Sequence, residues 1–570
     1  MRVIVTAGHV DHGKSTLVRR LTGMEPDRWA EERRRGLTID LGFAWTRIGA
    51  EDVAFVDVPG HERFVPNMLA GAGPAPAVLF VVAADEGWMP QSAEHLAALD
   101  AFGVRRGLLV VTKADRADPA VATEAALSEI AATSLGAVPS VAVSGKTDAG
   151  FDELRTAIAA LADGLPTPDP TADVRLWIDR AFTVSGAGTV VTGTLAAGTI
   201  AVGDELLLGD ARVKVRGLQA LGEAHDRVTA VARVAVNLRG TARADVGRGD
   251  VLLTPGRWHE TAEFDVRLNA TDLHRNLVLH FGTAAVPVRV RPLGTDTARL
   301  TTTSALPLRV GDRGLLRDPG EHRIAAGFDV LDVRPPSLAR RGAARARGEE
   351  LASSDLAASY LRRNGFVRTA DFAAMGLPET GDQVGDWRVD PVRFAGLRAE
   401  ATAIVRAWDA LAAGMPVEAL RQRLGLPAPE LVAPLLAGTG LDVTGGLVRR
   451  PGGLAPAVEK ALETVVKRLA EHPFRAPEAD ELRELGLGRR ELAAAVRLGR
   501  LTAVAEGVVL GPDAEERAAT ELRALPQPFT VSEARRALDS TRRVMIPLLE
   551  RLDAAGRTES LGDGTRRTVS

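Results

Sequence analysis

The chain has 570 residues, of which 45% are hydrophobic, 25% charged and 4% aromatic, with a formal net charge of −3. That balance excludes wholesale disorder, and at roughly 100–200 residues per domain it predicts about three to five domains. It also excludes a globally basic nucleic-acid binder, so any such partner must meet a local patch, and the absence of cysteine excludes disulfides, thiolate zinc sites and cysteine nucleophiles.

The opening MRVIVTAGHV reads as a first strand, not as a secretion signal. Residues 1–163 then alternate apolar runs with helical stretches. The runs are Val3–Ala7, Val53–Val58, Val78–Ala83, Leu108–Thr112 and Val138–Val143. This rhythm predicts an α/β sheet with helices on both faces. Phe64–Ala84 carries no charge, but Pro66, Gly71, Gly73, Pro74 and Pro76 interrupt it, so it reads as helix, turn and buried strand instead of a membrane span. GLPTPDPTAD (164–173) is a Pro-rich linker.

From Val174 the texture changes to valine, threonine and glycine with closely spaced turns, which predicts short strands closed into barrels. A softer break near Pro255–Trp258 divides this region in two. Pro335–Pro336 ends it, and the rest is rich in Ala, Leu, Arg and Glu. Three stretches there, 415–426, 475–487 and 529–540, each offer a short helix. Each is followed by a second amphipathic helix (Glu430–Leu436, Arg489–Leu498, Thr541–Leu552) and a glycine-bearing β-like tail. That order predicts winged-helix repeats, with a more degenerate copy over 348–394. The expected domains are 1–170 for nucleotide binding, barrels over 171–257 and 258–335, and a winged-helix array over 336–570, its last member at about 513–570.

The strongest chemical signal is Gly8-His9-Val10-Asp11-His12-Gly13-Lys14-Ser15, with Thr16 following. It fits G-x-x-x-x-G-K-[ST] between a strand and a helix: a P-loop whose backbone amides and helix N-terminus cradle phosphates. Lys14 is then the charge for the β- and γ-phosphates and Ser15 the hydroxyl ligand for Mg²⁺. Lysine is scarce in a chain that otherwise uses arginine, which makes Lys14, Lys113 and Lys146 informative. Asp57-Val58-Pro59-Gly60 ends the next apolar strand; Asp57 is placed to hold the metal through water and the Gly60 amide to meet the γ-phosphate.

Between these motifs lies Glu32-Arg33-Arg34-Arg35-Gly36-Leu37-Thr38-Ile39-Asp40, where Thr38 is a candidate γ-phosphate-sensing hydroxyl and Mg²⁺ ligand in a switch loop. Thr112-Lys113-Ala114-Asp115 ends a further strand. Asp115 can accept from guanine N1–H and the 2-amino group, a pair adenine lacks, while the Lys113 stem packs on the base. Ser144-Gly145-Lys146 can supply an amide to the guanine carbonyl. Thr112 stands where such base motifs usually begin with Asn, which predicts a looser tie from this loop to the P-loop. The expected ligands are GTP or GDP with Mg²⁺.

GHVDHGKS, RGLTID and DVPGH together resemble translational GTPases. The segment Gly188–Thr194, then Gly203-Asp204 and Arg248-Gly249-Asp250, adds to the likeness, and the C-terminal repeats narrow it to the family of bacterial selenocysteine-specific elongation factors. The resemblance covers the whole chain and implies an α/β P-loop GTPase domain, two β-barrels and a C-terminal all-α, winged-helix array. It implies that His61 positions the attacking water and that Val10 and Leu37 form an apolar gate. It assigns Asp179, Arg180 and Arg233 to an aminoacyl pocket between the GTPase domain and the first barrel, where a cation would favour an anionic selenolate over a neutral serine hydroxyl. On the residues alone, the better reading of these three is a pair of β-sheet salt bridges.

The resemblance further implies selenocysteinyl-tRNA, the ribosome and an mRNA hairpin as partners. Arg535, Arg536, Arg542, Arg543, Arg566 and Arg567 are the candidate RNA contacts of the last repeat. Arg340, Arg341, Arg345 and Arg347 offer either tRNA or ribosome contacts or a solvated helix face. The expected protein is a cytoplasmic monomer with no membrane contact that hydrolyses GTP while delivering the tRNA to recoded UGA codons. Two alternatives are a general aminoacyl-tRNA carrier or initiation-type GTPase, and a regulatory GTPase subunit of a metabolic enzyme.

Overall fold

The computed structural model describes residues 1–569 apart from 27–37, 74, 187, 353–354, 409–413, 450–453 and 455. It divides into two compact units, Met1–Thr380 and Gly381–Ser570.

The first unit begins with a six-stranded sheet. Its strands are β1 (Arg2–Ala7), β2 (Gly42–Ile48), β3 (Glu51–Asp57), β4 (Ala77–Ala83), β5 (Gly107–Thr112) and β6 (Ser140–Ala142), in the order β2-β3-β1-β4-β5-β6. β2 pairs antiparallel with β3 and the other pairings are parallel. The near-continuous apolar runs seen in the sequence are the strands buried on both faces, as a parallel sheet requires. Two hydrophobic clusters result, one on each side: Val3, Val5, Phe80 and Leu109 face one, and Ile4, Leu79, Leu108 and Val110 face the other. The site-bearing loops leave the carboxyl ends of β1, β3, β5 and β6, where doubly wound sheets bind ligands.

Two closed barrels follow. The first uses β7 (Arg175–Val184), β8 (Gly188–Leu195), β9 (Thr199–Ala201), β10 (Glu205–Leu208), β11 (Ala211–Ala220), β12 (Glu223–His225), β13 (Arg227–Thr229), β14 (Ala232–Arg239) and β15 (Val251–Leu253). Its closed ring runs β10-β15-β7-β8-β14-β11 and returns to β10, with β12 added at β11 and β13 paired with β9. β14 alternates buried and half-buried positions, the period-2 pattern of a barrel wall. The second barrel is β16 (His259–Leu268), β17 (Asn276–Phe281), β18 (Ala284–Pro292), β19 (Thr297–Leu308), β20 (Arg313–Asp318) and β21 (Arg323–Asp332), closed in the order β16-β19-β18-β17-β20-β21.

The helix Ala343–Leu351 then packs on the second barrel. Arg347 is buried there, its guanidinium donating to Asp265 at 2.7 Å and Asp332 at 2.5 Å and pairing with Glu350 at 2.6 Å. Arg299 also holds Asp265, and Arg363 also holds Asp332. The sequence left Arg347 open as an RNA contact. The structure removes it from that role, because three carboxylates and the barrel wall enclose it, and leaves Arg345 exposed beside it.

In the second unit the expected repeats appear as short helices followed by hairpins. Val417–Leu424 and Val432–Leu436 precede Asp442–Thr444 and Leu447–Arg449; Ala479–Glu484 and Arg489–Arg497 precede Thr502–Ala505 and Val508–Leu510; Val531–Ala537 and Arg542–Ala554 precede Thr558–Ser560 and Thr565–Thr568. The sequence reading passed over the long helices Pro391–Ala407, Pro456–Glu471 and Ala514–Arg523 that lead into each repeat. The start of the last repeat is written in TVSE: the Thr530 hydroxyl accepts from the Glu533 amide, and the Glu533 carboxylate accepts from the Thr530 amide at 2.7 Å. Among the described residues no helix is long and apolar enough to cross a membrane.

Candidate functional site: a nucleotide loop joined to an arginine-lined cleft

β1 delivers the chain into the P-loop at Gly8, whose φ of 131° and close approach to the Val81 carbonyl leave no room for a side chain. Gly13 caps the helix Lys14–Thr22 in the left-handed region. Lys14 is buried and its ammonium donates to the carbonyls of Gly8 at 3.0 Å and His9 at 2.8 Å, which folds it back over the loop. A residue that motif reading missed fixes this loop from below. His95, on the helix Pro90–Ala101, is fully buried and its Nδ1 accepts from the Gly8 amide at 3.0 Å. Burial lowers the His95 pKa to about 3, so the ring is a neutral acceptor. His12 is buried likewise, its pKa lowered to about 4 chiefly by desolvation, with Nδ1 donating to the Val81 carbonyl at 3.3 Å.

The Ser15 and Thr38 hydroxyl oxygens are 2.9 Å apart. Two adjacent ligands of an octahedral ion at about 2.0–2.1 Å would sit about 2.9 Å from each other, so the pair fits Mg²⁺. Asp57 is wholly buried at the end of β3, where its Oδ1 accepts from the Thr6 hydroxyl at 2.7 Å; the same Thr6 oxygen accepts from the Val58 amide at 3.2 Å. Gly60 lies flat on the P-loop. A Cβ there would lie 2.6 Å from the Val10 nitrogen and would collide with the Lys14 ammonium. His61 follows as the cap of the turn Glu62–Phe64, half-exposed, its Nδ1 accepting from the Arg63 amide at 3.2 Å. With Nδ1 as acceptor, the neutral ring carries its proton on Nε2. Of the expected gate, Val10 is half-buried beside Gly60, while Leu37 lies outside the described residues, with Glu32–Gly36.

The base loop is tied to the P-loop through its Thr. Thr112 Oγ1 donates to the His12 carbonyl at 2.6 Å. Asp115 is exposed, and the Ser144 hydroxyl donates to its Oδ1 at 2.6 Å, which holds the carboxyl below its ordinary pKa. Lys113 pairs with Glu86 at 2.6 Å and Asp85 at 3.3 Å; these partners outweigh its burial and raise its pKa. Gly145 stands over Thr16, and its carbonyl accepts from Arg20 at 2.7 Å. Lys146 is exposed at the rim, with its amide donating to the Ser144 hydroxyl at 3.3 Å.

A cleft of about 640 Å³ opens where this domain meets the first barrel, lined by Asp40, Asp179, Arg180, Phe182, Arg243 and Arg248, with Ala181 between them. Arg180 donates to Asp40 at 3.3 Å and to the Leu41 carbonyl at 2.9 Å. Arg248 pairs with Asp40, donates to Asn67 Oδ1 at 2.5 Å and to the Asp179 carbonyl at 2.9 Å. Burial would raise the Asp40 pKa, but hydrogen bonds and charge from Arg248 lower it. Asp179 and Arg180 line the cleft; Arg233 does not. Arg233 forms a two-point pair with Asp179, which also accepts from the Thr192 hydroxyl at 2.8 Å, and its guanidinium lies 3.7 Å from the Phe43 ring centre. The charge of Arg233 therefore answers a barrel carboxylate directly and reaches the cleft through it.

In the last repeat Arg535, Arg536 and Arg542 are exposed. Arg543 pairs with Glu478 at 3.2 Å, Arg566 with Asp553 at 2.9 Å and Arg567 with Glu559 at 2.8 Å. Within this set, Arg566 is the most enclosed, with 16% of its side chain accessible.

Residues 1–163 match the family model of the elongation factor Tu GTP-binding domain, and residues 520–567 match that of the elongation factor SelB winged helix. The chain is 38% identical over 352 residues to a selenocysteine-specific elongation factor of Desulfomicrobium baculatum, an alignment covering 58% of this chain and 55% of that one. It thus spans little more than half the length of that relative. It is 35% identical over 292 residues to elongation factor Tu 2 of Streptomyces avermitilis, covering 46% of this chain and 75% of that one. The crystal structure of a bacterial selenocysteine-specific elongation factor superposes over the full length of both chains with a TM-score of 0.76 at 25% identity. With its P-loop, two closed barrels and winged-helix tail, the chain belongs to the translational GTPase family.

Proposed function

We propose that this protein is a GTP-hydrolysing elongation factor that carries selenocysteinyl-tRNA to ribosomes at recoded UGA codons while tethered to an mRNA hairpin. The observation that carries the reading is the arginine-lined cleft joined to the nucleotide loop. Three guanidinium groups (Arg180, Arg243, Arg248) line it with two carboxylates (Asp40, Asp179), and Arg233 pairs with Asp179 from behind the wall, which leaves the cleft an excess of positive charge. A selenol is more acidic than a thiol, so selenocysteine is an anion at neutral pH, and a partly desolvated cationic cleft favours it over serine.

At the nucleotide site, Asp115 selects guanine, the P-loop amides and Lys14 hold the phosphates, and Ser15 and Thr38 are the hydroxyls that would hold Mg²⁺, with Asp57 behind them. A bound Mg²⁺ supplies neutralisation of charge on the phosphate oxygens. Hydrolysis then needs an in-line water, and positioning with charge stabilisation is the protein's part. His61 orients that water once decoding moves it past Val10. Exposed Arg535, Arg536 and Arg542 meet the hairpin backbone. The protein acts as a cytoplasmic monomer.

The test is protection of the aminoacyl ester from spontaneous hydrolysis in the presence of GTP, on one tRNA charged with selenocysteine or with serine. Protection of the selenocysteinyl form alone is expected. Equal protection of both would demote the protein to a general carrier, and protection of neither would end the tRNA-delivery reading.

A further inference from the structure

Asp40 stands two residues beyond Thr38, at the seam between nucleotide domain and barrel. The intervening Ile39 is pinned by its carbonyl, which accepts from Asn67 Nδ2 at 2.8 Å. The other end of the same Asn67 amide accepts from Arg248 of the barrel at 2.5 Å. Asp40 itself pairs with Arg180 through one carboxylate oxygen and with Arg248 through the other. Both arginines come from the first barrel and line the cleft. A short run of chain therefore has its first hydroxyl on Ser15 and its last carboxylate on the cleft cations.

We propose that Asp40 is the positioning residue that couples occupancy of the nucleotide site to the grip of the cleft. While Thr38 is seated beside Ser15, Asp40 lies in the cleft wall and fixes the guanidinium planes of Arg180 and Arg248. Arg180 is held by one terminal nitrogen, and its buried Nε makes no hydrogen bond within the protein. The rest of its guanidinium, on the cleft lining, is left to answer an anionic group of the cargo. When Thr38 leaves its seat, the tether is too short for Asp40 to stay, because consecutive Cα atoms are about 3.8 Å apart and only Ile39 intervenes. Arg180 and Arg248 then lose their orienting carboxylate, and the cleft loosens. The coupling runs through one backbone segment with two arrangements, the physical requirement for linkage between sites.

This inference rests on the delivery reading for the identity of the cargo, but not for the coupling itself. The variant is Asp40→Asn, which keeps shape and removes charge. The first measurement is the Kd for aminoacyl-tRNA at saturating non-hydrolysable GTP analogue and at saturating GDP. The Kd with GDP divided by the Kd with the GTP analogue is expected to fall by about tenfold in the variant, within the range usual for coupled sites. An equal loss in both nucleotide states, or an unchanged ratio, would overturn the proposal. The second measurement needs no tRNA: hydrogen exchange of residues 175–184 in the two nucleotide states. The wild-type protein should show slower exchange with the GTP analogue, and Asp40→Asn should abolish that difference. Retention of the difference refutes the coupling even if tRNA binding fails altogether; absence of tRNA binding in the wild type, with the exchange difference present, overturns only the cargo reading.

Discussion

The hydroxyl of Thr112 lies 2.6 Å from the carbonyl oxygen of His12, joining the loop that reads the base to the loop that holds the phosphates. A neutral buried hydrogen bond contributes about 0.5–1.5 kcal/mol, and leaving its acceptor unpaired costs about 1–3 kcal/mol. Thr112→Val, which keeps shape and removes the donor, should weaken GDP binding by about 5- to 30-fold. A fluorescent-nucleotide titration reads this directly, and an unchanged Kd would show that the tie does not matter to affinity.

Asp115 offers its carboxylate at the surface with one oxygen held by Ser144. Asp115→Asn turns one acceptor of the guanine edge into a donor. Hydrogen bonds to charged groups contribute about 1.5–3 kcal/mol, so GTP affinity should fall by at least about tenfold. Xanthine carries a carbonyl where guanine carries the 2-amino group, so xanthosine triphosphate should bind the variant better than GTP does. Competition between the two nucleotides tests this, and a variant that still prefers GTP would remove Asp115 from base recognition.

Three histidines of the first unit are buried with lowered pKa values: His95 to about 3, His12 to about 4 and His280 to about 4, each chiefly by desolvation. An unfolded histidine titrates near 6.5. Between those values the unfolded chain binds protons that the folded chain does not, so stability rises with pH. The contribution is complete above about pH 6.5 and is lost as pH falls toward 4, with a slope of up to about 1.4 kcal/mol per pH unit for each group. Denaturant unfolding at pH 7, 6 and 5 should show this decline. A flat profile over that range would mean the rings are solvated.

Arg347 neutralises Asp265, Asp332 and Glu350 at the foot of the second barrel. Removing one member of a buried pair leaves uncompensated charge and typically costs about 3–5 kcal/mol. Arg299 and Arg363 remain as partial partners, so Arg347→Met should fall at the lower end. Calorimetry of the full chain should show the transition of the first unit moved to lower temperature. The same substitution at exposed Arg345 should leave it in place, and equal effects at the two positions would contradict the burial argument.

The parts of this molecule that the sequence spelled out are those whose chemistry is local. The P-loop, the Asp57–Gly60 turn and the Thr112–Asp115 loop each sit within a few residues at the end of one apolar strand. The closed barrels and the helix-helix-hairpin repeats were legible as period and turn spacing. What escaped reading depends on partners far along the chain. His95 meets Gly8 across 87 residues, and nothing around Glu94-His95-Leu96 marks an acceptor for a glycine amide. Arg347 sits in an arginine-rich run that looks solvated until Asp265 and Asp332 are brought against it. Arg233 has the charge expected of a pocket residue, but Asp179, 54 positions earlier, claims it. The partner of Thr112 is likewise distant: the His12 carbonyl, 100 positions away, accepts its hydroxyl.

Arg233 has one further bearing. It belongs to the barrel, yet its flat face lies on Phe43 of the nucleotide domain, and Trp45 two residues on packs within 3.0 Å of the Cβ position of Gly222 in the barrel. An aromatic edge of one domain thus serves as part of the wall of the next. Heating should not melt these domains one after another: a single cooperative heat-absorption peak should cover both. A binder that lifts Phe43 away would expose the barrel to proteolysis without touching it.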